Sequence, residues 1–328
     1  MWADMRYNRG GTGSMDSAIQ SSAIRRSGGR SEPLLIAQVT DIHLGFDAGN
    51  PLEMNRTRLD AVLREIAASK PAPHIIVASG DLTEAGVADD YRTLRELFAR
   101  CPVPVLPMMG NHDLRDSFRQ VFPEVPTHDG FVQYVVDQGP LRLILLDTLE
   151  EGRHGGAFCE MRARWLDDRL AESGGRPVVI FMHHPPVQTG IDWMTIAADE
   201  PWVARVEGVI SRYSNVVAVL AGHIHRPIVA AWAGTRVSVC PSTAPQVALD
   251  LREIDPASPD GRPMIVAEPP GYGLHLWNGQ TLISHYGVAD VHPVLASYTP
   301  QLQPMVQDFL EERDGAPASA KLAQSVTR

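Results

Sequence analysis

The chain has 328 residues, 44% of them apolar and 21% charged, the make-up of an ordinary globular protein with one large domain or two small ones. Its formal net charge is −10 with no basic block, which argues against a long nucleic-acid polyanion as the main substrate, because such binding rests on clustered Lys and Arg. No apolar run reaches the roughly 18 residues that span a bilayer, so no membrane partner is expected. The three cysteines, Cys101, Cys159 and Cys240, are widely spaced and odd in number. That argues for small buried thiols in a reducing, cytoplasmic compartment.

Residues 1–31 are rich in Gly, Ser and Arg and lack the unbroken apolar core of a secretory signal. They are predicted to be a disordered tail, in which Met15 offers a second start. A domain over 32–299 follows. Its first apolar run, Leu34 to Thr40, ends at Asp41-Ile42-His43. After a loop over 44–54, Leu59, Val62, Leu63, Ile66 and Ala67 mark an amphipathic helix, with Asn55 or Thr57 as its cap and Pro71 and Pro73 beyond its end. Ile75 to Ser79 is a second strand, running into Gly80-Asp81. Tyr91, Leu94, Leu97 and Phe98 signal a helix stopped by Pro102 and Pro104, before Val105 to Met109 leads into Gly110-Asn111-His112-Asp113. Strand and helix alternating in this way predict parallel crossovers.

The middle of the chain changes character. Phe131–Val136 and Leu141–Asp147 flank Gly139-Pro140 and read as a hairpin. A helix is predicted over 158–170, with Phe158, Met161, Trp165, Leu166 and Leu170 on its inner side. The strand over 177–182 delivers His183-His184-Pro185, and a helix over 202–213 turns Val203, Val206 and Ile210 inward. Val216 to Ala221 then gives way to Gly222-His223-Ile224-His225. Further strands are predicted over 228–232, 236–240 and 273–277, the last pairing with 280–285 across an Asn278-Gly279 turn. Between them, 250–271 is dense in Pro, Asp and Gly, a late insertion placed to cap a site or meet another subunit. The tail over 300–328 holds one helix around Met305 to Glu312.

Five buried strands thus end in Asp, Asn or His, and in α/β sheets chemistry gathers at the carboxyl ends of strands. Asp41 and His43, and likewise His223 and His225, are two apart, so in extended chain each pair points to one side. Asp81 follows a glycine that permits a sharp turn, and Asn111 and His183 add one neutral ligand each. With no thiolate, the set suits Mn, Fe, Zn or Co. Singly, Asp41, Asp81 and Asn111 would pass as turn residues; their joint placement with the histidines argues for a metal site. Trp193 and Met194 are candidates for a pocket roof or loop anchors. Arg115 and Arg119 read as phosphate contacts or solvated helix charges. His74, His128, His154, His285 and His292 stand in contexts that favour structural roles.

These motifs, in this order, resemble those of the calcineurin-like metallophosphoesterases. Leu106-Pro107-Met108-Met109 before Gly110, His183-His184-Pro185-Pro186, Pro270-Gly271-Tyr272 and Leu274-His275-Leu276-Trp277 look most like the bacterial class III cyclic-nucleotide and glycerophosphodiester phosphodiesterases. The resemblance covers 34–286. It implies a four-layer α/β/β/α sandwich and two divalent metal ions. One ion would take Asp41, His43, Asp81 and His225, the other Asp81, Asn111, His183 and His223. Hydrolysis of a small phosphodiester by a metal-bridging hydroxide follows, since two dications, two carboxylates and one hydroxide leave a charge near +1, which suits a monoanionic diester. His112 would stabilise the transition state or protonate the leaving alkoxide; Asn111, His112 and His184 would face the substrate, with His184 equally a packed residue. Asp113 would hydrogen-bond a ligand or a nearby histidine. Phosphomonoester or nuclease activity on the same site, and a non-catalytic interaction scaffold, are the competing readings. Relatives that self-associate through late insertions imply a homo-oligomer, a dimer or higher, built on 250–271.

Overall fold

The computed structural model describes residues 33–197 and 199–315. The tail expected over 1–31, and the end of the one expected over 300–328, lie outside the described residues. The first half runs β1 (Leu34–Val39), α1 (Met54–Ala68), β2 (Ile75–Ala78), α2 (Ala88–Arg100), β3 (Val105–Pro107), α3 (Arg115–Val121), β4 (Tyr134–Gln138), β5 (Leu141–Leu145) and α4 (Glu160–Ala171). The second half runs β6 (Val178–Phe181), a 3-10 turn (Asp192–Met194), α5 (Pro201–Ile210), β7 (Val216–Ala221), β8 (Ile228–Trp232), β9 (Thr235–Val239), β10 (Gln246–Val247), β11 (Ile265–Val266), β12 (Gly271–Trp277), β13 (Leu282–Val288) and α6 (Gln303–Arg313).

Two sheets form, ordered β13-β12-β1-β2-β3 and β4-β5-β6-β7-β9-β8, with β10 and β11 as a separate ribbon. The predicted crossovers are present: β1, β2 and β3 are mutually parallel, as are β5, β6 and β7. Strand alternation then stacks the layers. Leu143 and Leu145 of β5, Val179 and Phe181 of β6, and Ala218 and Leu220 of β7 share a core with β1, β2 and the inner faces of α1 and α2. Their neighbours Ile144, Val178, Ile180 and Val219 pack on Trp165 and Leu166 of α4 and Val206 and Ile210 of α5. Helices, sheet, sheet and helices therefore make the four-layer α/β/β/α sandwich.

Local details differ from the sequence expectation. Neither Asn55 nor Thr57 caps α1; Glu53 stands at the cap, and buried Asn55 instead donates its Nδ2 to the His43 carbonyl at 2.9 Å. Met161 is 41% exposed, so the inner row of α4 is Ala163, Trp165, Leu166 and Leu170. The β12–β13 connection is a four-residue loop from Asn278 to Thr281 rather than a two-residue turn. Trp277 pairs with Leu282, and Asn278 Oδ1 takes the N–H groups of Gln280 and Thr281 at 3.0 and 2.9 Å. The described residues up to Ala289 form one compact unit and those from Asp290 a second, in which α6 buries no residue. No helix among the described residues is long and apolar enough to cross a membrane.

Candidate metal centre

The loops after β1, β2, β3, β6 and β7 meet at one end of the two sheets. Backbone hydrogen bonds join them: Asp41 N–H to Gly80 O at 3.1 Å, His43 N–H to Asp81 O at 3.0 Å, and Gly222 N–H to His183 O at 3.0 Å. The chain does not run extended here. Asp41, His43, Asp81, His223 and His225 have φ of 50°, 48°, 48°, 72° and 54°, all in the left-handed region. The pairs Asp41/His43 and His223/His225 therefore converge because the backbone curls, not because an extended strand aligns alternate side chains. Such conformations cost about 1–3 kcal/mol each in non-glycine residues and persist where the surroundings over-determine them. Two glycines make the close approach possible. A Cβ on Gly110 would overlap the Asp81 backbone and carboxylate, and one on Gly222 would overlap Thr40 Oγ1.

At the centre, Asp81 Oδ2 lies 3.3 Å from His183 Nε2 and 3.5 Å from His43 Nε2, so one carboxylate faces both halves of the cluster. Asp41 Oδ1 lies 3.4 Å from His225 Nε2 and 3.8 Å from His183 Nε2. The outer ring nitrogens are anchored on acceptors: His43 Nδ1 on Glu84 Oε2 at 2.7 Å, His183 Nδ1 on Ser79 O at 2.9 Å, and His225 Nδ1 on Pro245 O at 2.8 Å. Each Nδ1 thus carries the proton, and in the neutral ring each Nε2 turns a lone pair inward. His43 and His225 Nε2 face one another at 3.2 Å, while His183 Nε2 and Asn111 Oδ1 are buried without a hydrogen-bond partner. Converging lone pairs, buried carboxylates and orphaned acceptors are the donor set that a divalent cation satisfies.

The electrostatics agree. Burial opposes ionisation of Asp41, yet His225 and then His183 hold its carboxyl below the usual range. Asp81 is likewise held well below it, as His183 and His43 outweigh burial. Burial pulls His183 down, but Asp81 and Asp41 push it up to about 9, so the site draws positive charge even as a proton. His223 and His184 face mainly other imidazoles; burial depresses both, His184 to about 3.

The predicted Asp and His residues, joined by Glu84, fall into four overlapping groups with ligand atoms within 4.8 Å: Asp41/His43/His225, Asp41/Asp81/His183, His183/His184/His223 and His43/Glu84/His112. Asn111 turns its Nδ2 toward His154 at 3.4 Å, and His112 donates its backbone N–H to Asp81 Oδ1 at 2.9 Å and its Nδ1–H to Glu84 O at 2.8 Å. His184 does not line the open cavity. It is 1% exposed, with Nδ1 2.8 Å from Thr148 Oγ1, and meets the centre from behind His183 and His223. Among the described residues, Asp113 bonds neither a candidate ligand side chain nor a histidine. Its carboxylate collects the N–H groups of Leu82, Thr83 and Gly110 and the Tyr91 hydroxyl, tying the Asp81 and Asn111 loops together. With Asp81 near and burial complete, its carboxyl rises to about 6. Arg115 is not a solvated charge: its side chain is 15% exposed and forks onto Asp147 at 2.8 and 2.7 Å.

Two residues of the site escaped the sequence reading. Glu84 orients His43, and the signal for it was an acid three positions past Asp81 in the same loop. His154 lies with its ring 4.7 Å from that of His223. β5 runs parallel to β6, so its carboxyl end opens on the same side, and His154 lies in the chain that follows it. A cavity of about 360 Å³ leads from the centre past His112, His154, Trp193 and Met194.

A two-sheet sandwich that gathers buried carboxylates and imidazoles beyond its strand ends is the architecture of a metal-supported hydrolase. The comparisons with known proteins agree. The family profile described as calcineurin-like phosphoesterase matches residues 34–227, and the chain belongs to this family of phosphate-ester hydrolases. It is 30% identical over 258 residues to a probable glycerophosphodiester phosphodiesterase of Arcobacter nitrofigilis, covering 77% of this chain and 92% of the relative. It is 38% identical over 199 residues to a probable cyclic nucleotide phosphodiesterase of Rhodopseudomonas palustris, covering 59% of this chain and 72% of the relative. Among solved structures, a dimetal phosphatase from Danio rerio shares the fold, with a TM-score of 0.58, 16% identity and coverage of 78% of this chain and 96% of that one.

Proposed function

We propose that the protein hydrolyses small organic phosphodiesters with two divalent ions, Mn, Fe, Zn or Co. Asp41, His43, Asp81 and His225 would hold one ion, and Asp81, Asn111, His183 and His223 the other. The observation that carries this reading is the position of Asp81, between His43 on one side and His183 on the other. Bound divalent ions supply charge for phosphoryl oxygens and bring the pKa of water to about 7. The chain's own part is to hold the ligands in one tautomer, through Glu84, Ser79 and Pro245, and to keep a proton donor at the cavity wall. That donor is His112. Its Nδ1–H is fixed on Glu84 O, leaving Nε2 to deliver a proton to the leaving alkoxide, and the Glu84 carboxylate 3.7 Å away supports the imidazolium. The names of the relatives support diesters, as does a site whose two carboxylates leave a small positive surplus once two dications are bound.

The catalytic unit in this reading is 32–299, with 250–271 as its insertion, in a cytoplasmic setting consistent with the buried thiols of Cys101 and Cys240. Exposed Leu251 in the insertion, with exposed Leu249 just before it, supports self-association there. A rate panel tests the activity: cyclic AMP, glycerophosphoethanolamine, an aryl diester and an aryl monoester, each with Mn, Fe, Zn and Co. Metal-dependent turnover with diester over monoester is expected. A protein that binds none of these metals, and turns over no ester when they are supplied, overturns the reading.

A further inference from the structure

The metal centre accounts for the floor of the cavity but not for its rim. Phe46, Met54, Trp193, Met194, Val247 and Ile265 line the same space. Phe46, Met54 and Ile265 are 69%, 51% and 52% exposed, an apolar surface converging on one cavity rather than scattered over the protein. No Lys or Arg lines the cavity among the described residues, whereas Glu84 does. Such a rim accepts an uncharged group and disfavours a second anionic one.

Part of this rim is built by the insertion. Ile254 N–H donates to Asp192 Oδ2 at 2.9 Å, which ties the insertion to the turn carrying Trp193 and Met194. Within the insertion, Arg262 pairs with Asp260 at 2.6 Å and Arg252 with Asp250, and Arg262 also donates to the carbonyls of Arg252 and Glu253 at 2.9 Å. These exposed pairs add little stability, but they give the loop a shape. The chain then returns through β11, whose pairing of Ile265 with Val247 of β10 brings both onto the cavity wall.

We propose that Trp193 and Ile265, presented by the Asp192 turn and the insertion, form a subsite that selects phosphodiesters with a planar, uncharged ring on one arm, such as a nucleobase or an aryl group. This inference rests on the phosphodiesterase reading and deepens it. The phosphate sits at the metal centre, and the ring lies along the apolar rim of the same cavity. Loss of one stacking partner costs such a substrate about tenfold in KM.

Steady-state kinetics on the metal-loaded full chain tests this with cyclic AMP and bis(p-nitrophenyl) phosphate, which carry rings, and glycerophosphoethanolamine, which carries none. Trp193→Ala is expected to raise KM about tenfold for the two ring substrates, with kcat within about twofold, and to leave the ring-free diester within about twofold. Ile265→Ala, at an exposed position and without a change of charge, should act in the same direction, and it decides the matter if Trp193→Ala does not fold. Equal changes for all three diesters, or none, with an active wild type overturn the subsite and leave the phosphodiesterase standing. A wild type inert on every diester overturns both.

Discussion

Asp81 approaches both halves of the centre, and its substitution separates a shared ligand from a peripheral one. Asp81→Ala is expected to lower bound metal below two per chain by elemental analysis and to reduce kcat at least about 100-fold. Unchanged two-metal stoichiometry would remove it as the bridge. Glu84 acts through His43: with Glu84→Gln the charged acceptor on Nδ1 is lost, and metal affinity should fall about 10–100-fold in a chelator competition. His112 makes a different prediction because it is a proton donor in the proposed reaction. His112→Ala should cost about 100-fold or more in kcat for an alkyl leaving group and far less for p-nitrophenolate, which needs no proton. An equal loss for both would assign His112 to charge stabilisation instead. At this scale the candidate ligand types were legible, because Asp, Asn and His sit directly after apolar runs. Their geometry was not. The left-handed φ of Asp41, His43 and His223 goes with tertiary hydrogen bonds of their backbone N–H groups to loops distant in sequence.

Between the strands runs a buried polar path that no periodicity announces. Ser284 of β13 donates to His275 Nδ1 at 2.8 Å, His275 Nε2–H to Gln38 Oε1 at 3.1 Å, and Gln38 Nε2 to Ser79 Oγ at 2.8 Å. Ser79 in turn accepts His183 Nδ1 on its carbonyl, so the path crosses the first sheet to a side chain of the metal centre. Burial, with Arg236 adding repulsion, drops the His275 pKa from 6.5 to about 3. The unfolded chain therefore binds a proton below about pH 6.5 that the folded chain refuses until about 3. This contribution to stability is full above 6.5 and is lost as pH falls toward 3, by up to about 1.4 kcal/mol per pH unit. Urea unfolding in chelator should show a shallower decline between pH 6.5 and 4 for His275→Asn than for the wild type; parallel declines would exclude His275 as a source. In the sequence, β1 and β12 were readable from their apolar runs, but the pairing of Gln38 with Gly273, which sets His275 beside Gln38, depends on long-range register. The missed α1 cap has a similar cause, since Asn55 is recruited by the His43 loop rather than by its own helix end.

The parallel crossovers were legible because alternation and crossover order are properties of the entire chain, and the four layers followed from the family resemblance, whereas the rim of the cavity is assembled from three segments with no shared pattern. Phe46, Trp193 and Ile265 line one cavity, and the insertion that carries Ile265 is tied to the Asp192 turn through Ile254 N–H. Charge is likewise a property of the whole molecule. A formal net charge of −10 repels a polyanion at long range, and the cavity adds no Lys or Arg to reverse this. A small diester carries a single negative charge and meets that repulsion only weakly, while an oligonucleotide carries one per phosphate and the sequence has no basic block to displace its counterions. Two observations follow. Single-stranded oligonucleotides should be cleaved at least about 100-fold more slowly than a small diester at equal phosphate concentration. Their kcat/KM should also stay flat or rise as salt increases from 50 to 200 mM, where a nucleic-acid enzyme with several phosphate contacts would lose affinity steeply. A steep fall with salt, together with rapid oligonucleotide cleavage, would make the chain a nuclease that recruits its substrate through cations outside the cavity.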